Sequence, residues 1–336
     1  MRRHLTAFQD CAGPRPCVRF NCFQGNSRKC GWTAGCTLYG MRRLWVTILV
    51  ITASAATLTR SPNPDLCRAQ ELYRRTEYAR AIDALQGPAG KEAAGYALLG
   101  KAYFMEGQYK EAVSNLEKAV GEDSLNSDYY DWLGRAYGRM AEASKFLSAL
   151  GYARKTVRSF ERAVELSPSN LEALSDVFEY YLQAPGMVGG GLDKAEDIAR
   201  RIAGLNEAEY HWARARLAEK RKDFETAERE LRASLEAAPT EVGRTLDLAT
   251  FLSVRGRYGE SEALFQAAEK EHPDSPKVLY AHAAAYIQSK RKLDEAEALL
   301  ERYVALPTTS EDPTRREAIA LLKSSQKLRP KSRQTE

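Results

Sequence analysis

Residues 93–126 of the chain read AAGYALLGKAYFMEGQYKEAVSNLEKAVGEDSLN, and this stretch carries the pattern that decides the fold. Small, aromatic and leucine residues recur at helical spacing on both sides of a Gly-x-Tyr step at Gly107 to Tyr109. From residue 65 onward alanine, leucine, glutamate and arginine dominate, and these residues favour helix. A small residue at Gly100 lets two helices approach closely. Each helix has one apolar stripe to bury. A single pair of helices cannot bury enough apolar surface alone, so neighbouring pairs must stack on it.

The same pattern returns along the chain at a nearly constant interval. When the small residue of each second helix is aligned, consecutive steps are 31, 44, 39, 32, 34 and 35 residues. The aligned positions are Ala81, Ala112, Thr156, Ala195, Ala227, Ser261 and Ala296. A period near 34 residues is typical of arrays built from two-helix units.

These positions resemble the tetratricopeptide repeat consensus: an aromatic residue, Leu-Gly, Tyr, a Gly-x-Tyr turn and three apolar helix positions. The resemblance implies an all-α fold, a right-handed α–α superhelical solenoid of about six to seven helix pairs over residues 62–326 with a C-terminal capping helix. The repeat signature consists of Gly100, Tyr103, Ala112, Gly134, Tyr137, Ala163, Pro168, Ala227, Ala249, Ala268, Pro273 and Ala296.

Helix boundaries follow from capping residues and prolines. N-caps are expected at Asn126 or Ser127, at Ser169 or Asn170, and at Asp193 with Glu196 three residues later. Second helices are expected to end before Pro168, Pro239 and Pro273. One amphipathic helix from Pro313 to about Leu328 should cap the array, and residues 327–336 read as a frayed basic tail.

Two units are longer than the period, at residues 138–155 and 184–192. The first insertion is compatible with helix, so we expect it to lengthen both helices of its unit. The second, with an APG…GGG pattern, is expected to be a flexible tip. A phosphate-binding interpretation fails because no lysine follows Gly191 and Asp193 brings negative charge. The insertions resemble those of uncharacterised exported bacterial tetratricopeptide proteins, and that resemblance implies no mechanism.

The net charge of +5 comes from the N-terminal region. Of 50 basic and 45 acidic residues, residues 1–55 hold eight basic side chains and one acidic side chain, which leaves the remainder with a net charge of −2. Nucleic-acid binding needs a basic surface, so the repeat region does not favour a nucleic-acid partner.

Residues 41–56 have the layout of a secretory signal peptide. Arg42 and Arg43 precede an apolar stretch, and Ala53-Ser54-Ala55 forms a small-residue cleavage motif. The stretch is shorter than the roughly 20 residues of a membrane-spanning helix. We expect export to the periplasm, with a start at Met41 and cleavage near Ala55 or Ala56; an uncleaved anchor is the alternative.

Residues 1–40 precede this signal and contain five cysteines whose spacing does not match paired zinc ligands. We interpret the segment as a disordered or misassigned upstream extension, because a signal peptide belongs at the start of a chain. A metal-binding extension is the rival interpretation.

No catalytic motif is evident in the sequence after residue 55. His211, His272 and His282 are expected to be structural, and we predict no enzyme activity, no cofactor and no metal site. Carboxylates are expected at solvated helix positions, for example Glu228, Glu230 and Glu236.

The first helices of successive units should line a concave groove. Aromatic and arginine side chains supply much of the binding energy at protein interfaces. The candidate partner-binding residues are Lys101, Phe104, Trp132, Arg135, Arg139, Trp212, Arg216 and Tyr280. Packing of Trp132 against neighbouring helices is the alternative to its exposure in the groove.

A carboxylate-terminated peptide is a poor match for this groove. Members of the family that bind chaperone tails use cationic and amide side chains, whereas the corresponding positions here are Ala97, Lys101, Trp132, Glu172 and Asp176. We therefore predict a non-enzymatic scaffold of the bacterial cell envelope that binds a protein segment. The alternative is an accessory binding protein for a cell-wall fragment or another non-protein ligand. The partner's identity and the oligomeric state do not follow from the sequence.

Overall fold

A computed structural model of the chain describes residues 63–329, and within that range it contains fifteen α-helices and no strand. The helices form seven pairs and a final single helix. The first helices of the pairs are α1 (Pro64–Arg74), α3 (Ala93–Met105), α5 (Ser127–Glu142), α7 (Leu171–Gln183), α9 (Glu207–Lys220), α11 (Val242–Val254) and α13 (Pro276–Gln288). The second helices are α2 (Tyr78–Ala84), α4 (Tyr109–Glu122), α6 (Phe146–Leu166), α8 (Leu192–Ala203), α10 (Phe224–Ala237), α12 (Tyr258–Glu271) and α14 (Leu293–Ala305). The final helix is α15 (Arg315–Leu328).

Helix packing follows the order of the chain. Each second helix packs on the first helix of its pair, and first helices pack on one another from α1 through α9 and again between α11 and α13. Helix α15 covers α13 and α14. This arrangement confirms the predicted all-α solenoid with a capping helix. The predicted segments 1–40 and 41–56, and residues 330–336 of the predicted tail, lie outside the described residues.

Small signature residues sit where the two helices of a unit touch. A Cβ atom at Gly100 would lie 2.5 Å from Leu116 Cγ, and one at Gly134 would lie 2.6 Å from the Phe160 ring. Real Cβ atoms do not approach other carbon atoms so closely, so glycine is required for this spacing. The signature alanines are all buried: Ala112, Ala163, Ala227, Ala249, Ala268 and Ala296.

Five of the seven pairs use the same turn between their helices. In the turn after α3, the Gly107 and Gln108 amides donate to the carbonyls of Phe104 and Tyr103. Gly107 has a left-handed φ of 74°, a conformation that glycine adopts without strain. The same position is left-handed in four other turns, at Thr76, Lys222, Gly256 and Lys290. The turn therefore persists where the sequence lacks its glycine.

Two of the three predicted N-caps are confirmed. The Asn126 side chain accepts from the Tyr129 amide, and that of Asn170 accepts from the amides of Glu172 and Ala173. The prediction for Asp193 was wrong, because α8 begins at Leu192 and its N-cap is Gly191, two residues before Asp193. As predicted, the second helices end before the three prolines Pro168, Pro239 and Pro273.

The two insertions contact each other. Helices α5 and α6 have 16 and 21 residues, whereas α3 and α4 have 13 and 14, so the first insertion lengthens both helices as predicted. The second insertion is not the loose tip that the sequence suggested. The Tyr180 hydroxyl lies 2.8 Å from the Ala153 carbonyl oxygen of the first insertion and 2.7 Å from the Val188 carbonyl oxygen of the second. Because Val188 is also buried, the loop is docked on α6.

The end of the helix array touches its beginning. The Arg316 guanidinium of α15 donates to the Tyr109 hydroxyl of α4 at 3.0 Å. The hydroxyls of Thr76 and Thr308 lie 3.4 Å apart. These pairs are separated by 207 and 232 positions in the sequence. The first and last units are therefore joined by side chains.

Candidate functional site

The eight predicted partner-binding residues fall into two groups. Lys101, Phe104, Trp132 and Arg135 are buried, whereas the other four are half-buried. The half-buried residues are Arg139, Trp212, Arg216 and Tyr280.

Trp132 is a packing centre and not an open groove residue. It is only 2% exposed, and Phe104 meets its ring edge-on with the ring centroids 5.6 Å apart. Lys101 Nζ and Arg135 Cζ lie 5.1 Å and 4.8 Å from the Trp132 ring centroid, in the range of cation–π contacts. The expectation that these four side chains present themselves to a partner is corrected, because they are covered by one another and by adjacent helices.

Arg135 forms ion pairs with three carboxylates from two helices. Its guanidinium is 2.8 Å from Asp131, one turn earlier on α5, and it also pairs with Glu172 and Asp176 on α7. Burial would lower the pKa of Arg135, but the three carboxylates together raise it. Burial raises the pKa of Asp131, and Arg135 opposes that rise. Arg135 is therefore the cation shared by these three acidic side chains.

The same arrangement continues along the first helices. We call the set of ion pairs on this face the charged row. It comprises Lys101, Asp128, Asp131, Arg135, Glu172, Asp176, Glu179, Glu209, Arg216, Glu219, Glu241 and Arg244. Lys101 Nζ contacts Asp128 at 2.7 Å, and Arg216 Nε contacts Glu179 at 3.1 Å. Arg244 of α11 pairs with Glu209 of α9, which also accepts from the Ser175 hydroxyl of α7. The charged row thus links α3 to α11.

Acidic and basic side chains of the charged row differ in number and in exposure. Eight acidic side chains accompany four basic ones, so acidic groups outnumber basic groups two to one. The side chains of Lys101, Arg135 and Arg244 are at most 7% exposed. In contrast, those of Asp128, Glu172, Asp176, Glu179 and Glu219 are between 22% and 34% exposed. The outer layer of this face is therefore made mainly of carboxylates.

The remaining predicted residues lie apart from the Trp132 cluster. Arg139 donates to the Tyr109 hydroxyl, the group that also binds Arg316. Trp212 packs on Phe178 with ring centroids 6.0 Å apart. Tyr280 packs on Tyr303 with ring centroids 5.6 Å apart, near the capping helix. The structure therefore distributes the eight residues along the array and does not gather them into one site.

Two of the histidines have structural surroundings. His282 is 5% exposed and stacks on Phe265, with ring centroids 4.3 Å apart; burial lowers its pKa, although Glu262 opposes that shift. His211 Nδ1 lies 2.8 Å from Glu230. Glu230 is itself buried, so its predicted solvated position was wrong. Within residues 63–329 no group of three or more histidine, cysteine or acidic side chains could hold a metal ion.

Sequence reasoning identified individual members of the charged row but missed their pairing. Glu172 and Asp176 lie 37 and 41 positions after Arg135, which is about one repeat of the longer units. A search for opposite charges one repeat apart on first helices would have found them. The contact between Arg316 and Tyr109 left no comparable signal in the sequence.

Two segments match family models described as tetratricopeptide repeat, residues 93–124 and residues 255–311. Among solved structures, a tetratricopeptide repeat protein from Parabacteroides merdae is 16% identical and has a TM-score of 0.51; the match covers 78% of this chain and 97% of that one. At this identity the likeness concerns the fold alone.

Two further solved structures are similar at lower scores. A thermophilic tetratricopeptide protein of Thermus thermophilus is 19% identical, with a TM-score of 0.47 and coverage of 56% of this chain and 97% of that one. The C-terminal part of a repeat protein from Cytophaga hutchinsonii is 15% identical, with a TM-score of 0.42 and coverage of 76% and 99%. No curated protein matches the sequence. The repeat models and the helix-pair architecture agree: the chain contains tetratricopeptide repeats, matched at residues 93–124 and 255–311.

Proposed function

We propose that this protein is a non-enzymatic scaffold of the bacterial cell envelope that holds a segment of a partner protein along the face of its first helices. Tetratricopeptide folds generally serve protein interaction. The observation that carries the proposal is the charged row, which runs across five first helices with its carboxylates partly open to solvent. Such a continuous polar surface suits an extended chain better than it suits a small substrate.

A photo-crosslinking experiment tests the proposal. The crosslinking amino acid p-benzoylphenylalanine is placed at Trp212, a half-buried residue of α9 beside the charged row, and irradiated in cells that carry the natural partners. The matched control places it at Glu236, an exposed residue of the second helix α10. We expect one protein adduct from position 212 and none from position 236, because only the former faces the charged row.

A third crosslinking position distinguishes binding on the charged row from binding on the insertions. Leu147 of the first insertion is 81% exposed, so a partner that docks there would crosslink from position 147. Adducts from position 147 alone would move the binding surface to the insertions. A saturable adduct with a cell-wall fragment at position 212, without a protein adduct, would replace the scaffold by an accessory binding protein for that ligand.

The location in the envelope rests on the signal-like segment 41–56. No helix within residues 63–329 has the length and apolar character needed to cross a bilayer. We expect the mature protein to begin just after Ala55 or Ala56, because the small-residue motif there suits a signal peptidase. Mass spectrometry of the purified native protein measures this directly. A native peptide from residues 1–40 would contradict both the start at Met41 and the cleavage.

A further inference from the structure

In the charged row, most cations are more deeply buried than most carboxylates. Three of its four cations are almost fully buried, and six of its eight carboxylates have side chains that are more than a fifth exposed. The four buried or half-buried cations neutralise only half of the carboxylates. A ligand that approaches this face therefore meets an excess of negative charge at its outer layer.

Within the Asp131–Arg135 pair, two polar atoms lack hydrogen-bond partners. Asp131 Oδ1 accepts no hydrogen bond and Arg135 Nη1 donates none among the described residues, although both side chains are at least 95% buried. A buried polar group without a partner costs about 1–3 kcal/mol. Both atoms are covered, so a partner on this face contacts the more exposed carboxylates of the charged row and not these two atoms.

We propose that the charged row binds an extended segment of a partner protein that is rich in lysine or arginine. The partner's cations lie against the outer carboxylates, chiefly Asp176 and Glu179, and its backbone runs across α3 to α11. This inference rests on the proposed scaffold function and specifies the chemistry of its partner.

The dimensions of the face fit such a segment. Neighbouring packed helices are about 8–10 Å apart, so the four spacings between five first helices span roughly 32–40 Å. An extended chain rises about 3.3 Å per residue, and about 12 residues therefore cover the charged row. A bound metal ion is a poor alternative, since no suitable ligand group exists within residues 63–329. Nucleic acid is repelled by the carboxylate layer.

Peptide binding to the full chain tests the inference. Three fluorescent peptides of about 12 residues are compared by anisotropy at low salt: alternating Ser-Lys, alternating Ser-Glu and alternating Ser-Gly. We expect the lysine peptide to bind most tightly and its affinity to fall when salt is raised, because its charges meet partly solvated carboxylates. The glutamate peptide should not bind.

Two double variants with the same charge change locate the binding. Asp176→Asn with Glu179→Gln alters α7 within the charged row, and Arg135 and Arg216 keep their other carboxylate partners. Glu225→Gln with Glu236→Gln alters exposed positions of α10. We expect about a fivefold loss of affinity for the lysine peptide in the first variant, from two partly exposed ion pairs. The second variant should bind like the wild type, and circular dichroism should show both folded.

Other outcomes overturn the inference in distinguishable ways. Equal affinity for the lysine and neutral peptides, with loss in the α7 variant, would remove the cationic requirement and keep the scaffold function. Equal losses in both variants would show nonspecific attraction. Tight binding only after deletion of residues 1–55 would identify the chain's own basic segment as the occupant. No binding of any peptide, together with no adduct at position 212, would reject the scaffold function as well.

Discussion

Arg135→Leu is expected to destabilise the folded array by about 3–5 kcal/mol at pH 7, the range found when one partner of a buried ion pair is removed. The substitution leaves Asp131, Glu172 and Asp176 without their shared cation. Asp131 is 2% exposed and cannot recover this loss by turning toward water. Chemical denaturation followed by circular dichroism measures the change.

The loss of stability in Arg135→Leu should become smaller as the pH is lowered. Burial already raises the pKa of Asp131, and removal of Arg135 takes away the group that opposes that rise. A group whose pKa is higher in the folded than in the unfolded state stabilises the fold at low pH, and this contribution is lost as the pH rises through the folded value. The difference in stability between variant and wild type should therefore shrink as the pH is lowered from 7 to 5.

Arg162→Leu is the matched control for Arg135→Leu. Arg162 pairs with Glu165 on the same helix and its side chain is 42% exposed, so the loss of stability should be several-fold smaller than in Arg135→Leu. Similar losses in both variants, or a loss in Arg135→Leu that does not vary with pH, would show that the Arg135 cluster is solvated and carries no buried charge.

Gly100→Leu is expected to destabilise the array by about 3 kcal/mol, at the upper end of the cost of overpacking a core. The new Cβ would lie 2.5 Å from Leu116 Cγ and 3.2 Å from the Ala112 carbonyl oxygen, so both the side chain and the backbone of α4 must move. The wedge between α3 and α4 then opens, and the contact of this pair with α5 is weakened as well. The denaturation midpoint measures the effect.

Gly121→Leu separates this steric effect from the intrinsic helix preference. Gly121 lies in α4, and nothing stands within 4 Å of a Cβ atom there. Leucine favours helix over glycine by about 1 kcal/mol or less, so this variant should be equal to or slightly more stable than the wild type. If Gly100→Leu were equally well tolerated, close approach of the two helices could not be what sets the repeat geometry.

The fold could be predicted from the sequence because its determinants are local and repeated. Gly100 and Gly134 mark helix contacts inside one unit, and Asn126 and Asn170 mark helix starts within a few residues of themselves. Each signal occurs again about one period later, so an unclear copy is supported by a clear one. The error at Asp193 arose just after the second insertion, one of the two places that depart from this period.

The candidate site was less predictable because its contacts join different units. The consensus places Trp132 and Arg135 on the inner side of α5, but it does not show that α7 supplies two carboxylates to Arg135. These pairs bury the side chains that the sequence suggested were open. The docking of the second insertion was missed for the same reason. The Tyr180 hydroxyl lies at hydrogen-bond distance from carbonyl oxygens of both insertions, which are separate in the sequence.

The contact between Arg316 and Tyr109 has a consequence for truncated forms of the protein. In an open array each terminal unit has a neighbour on one side only, and it frays first. Here α2, with seven residues the shortest α-helix of the described chain, belongs to a unit that also touches Thr308 through Thr76. Removing the chain from Thr308 onward to obtain a smaller fragment therefore withdraws contacts from the first two units of the described chain.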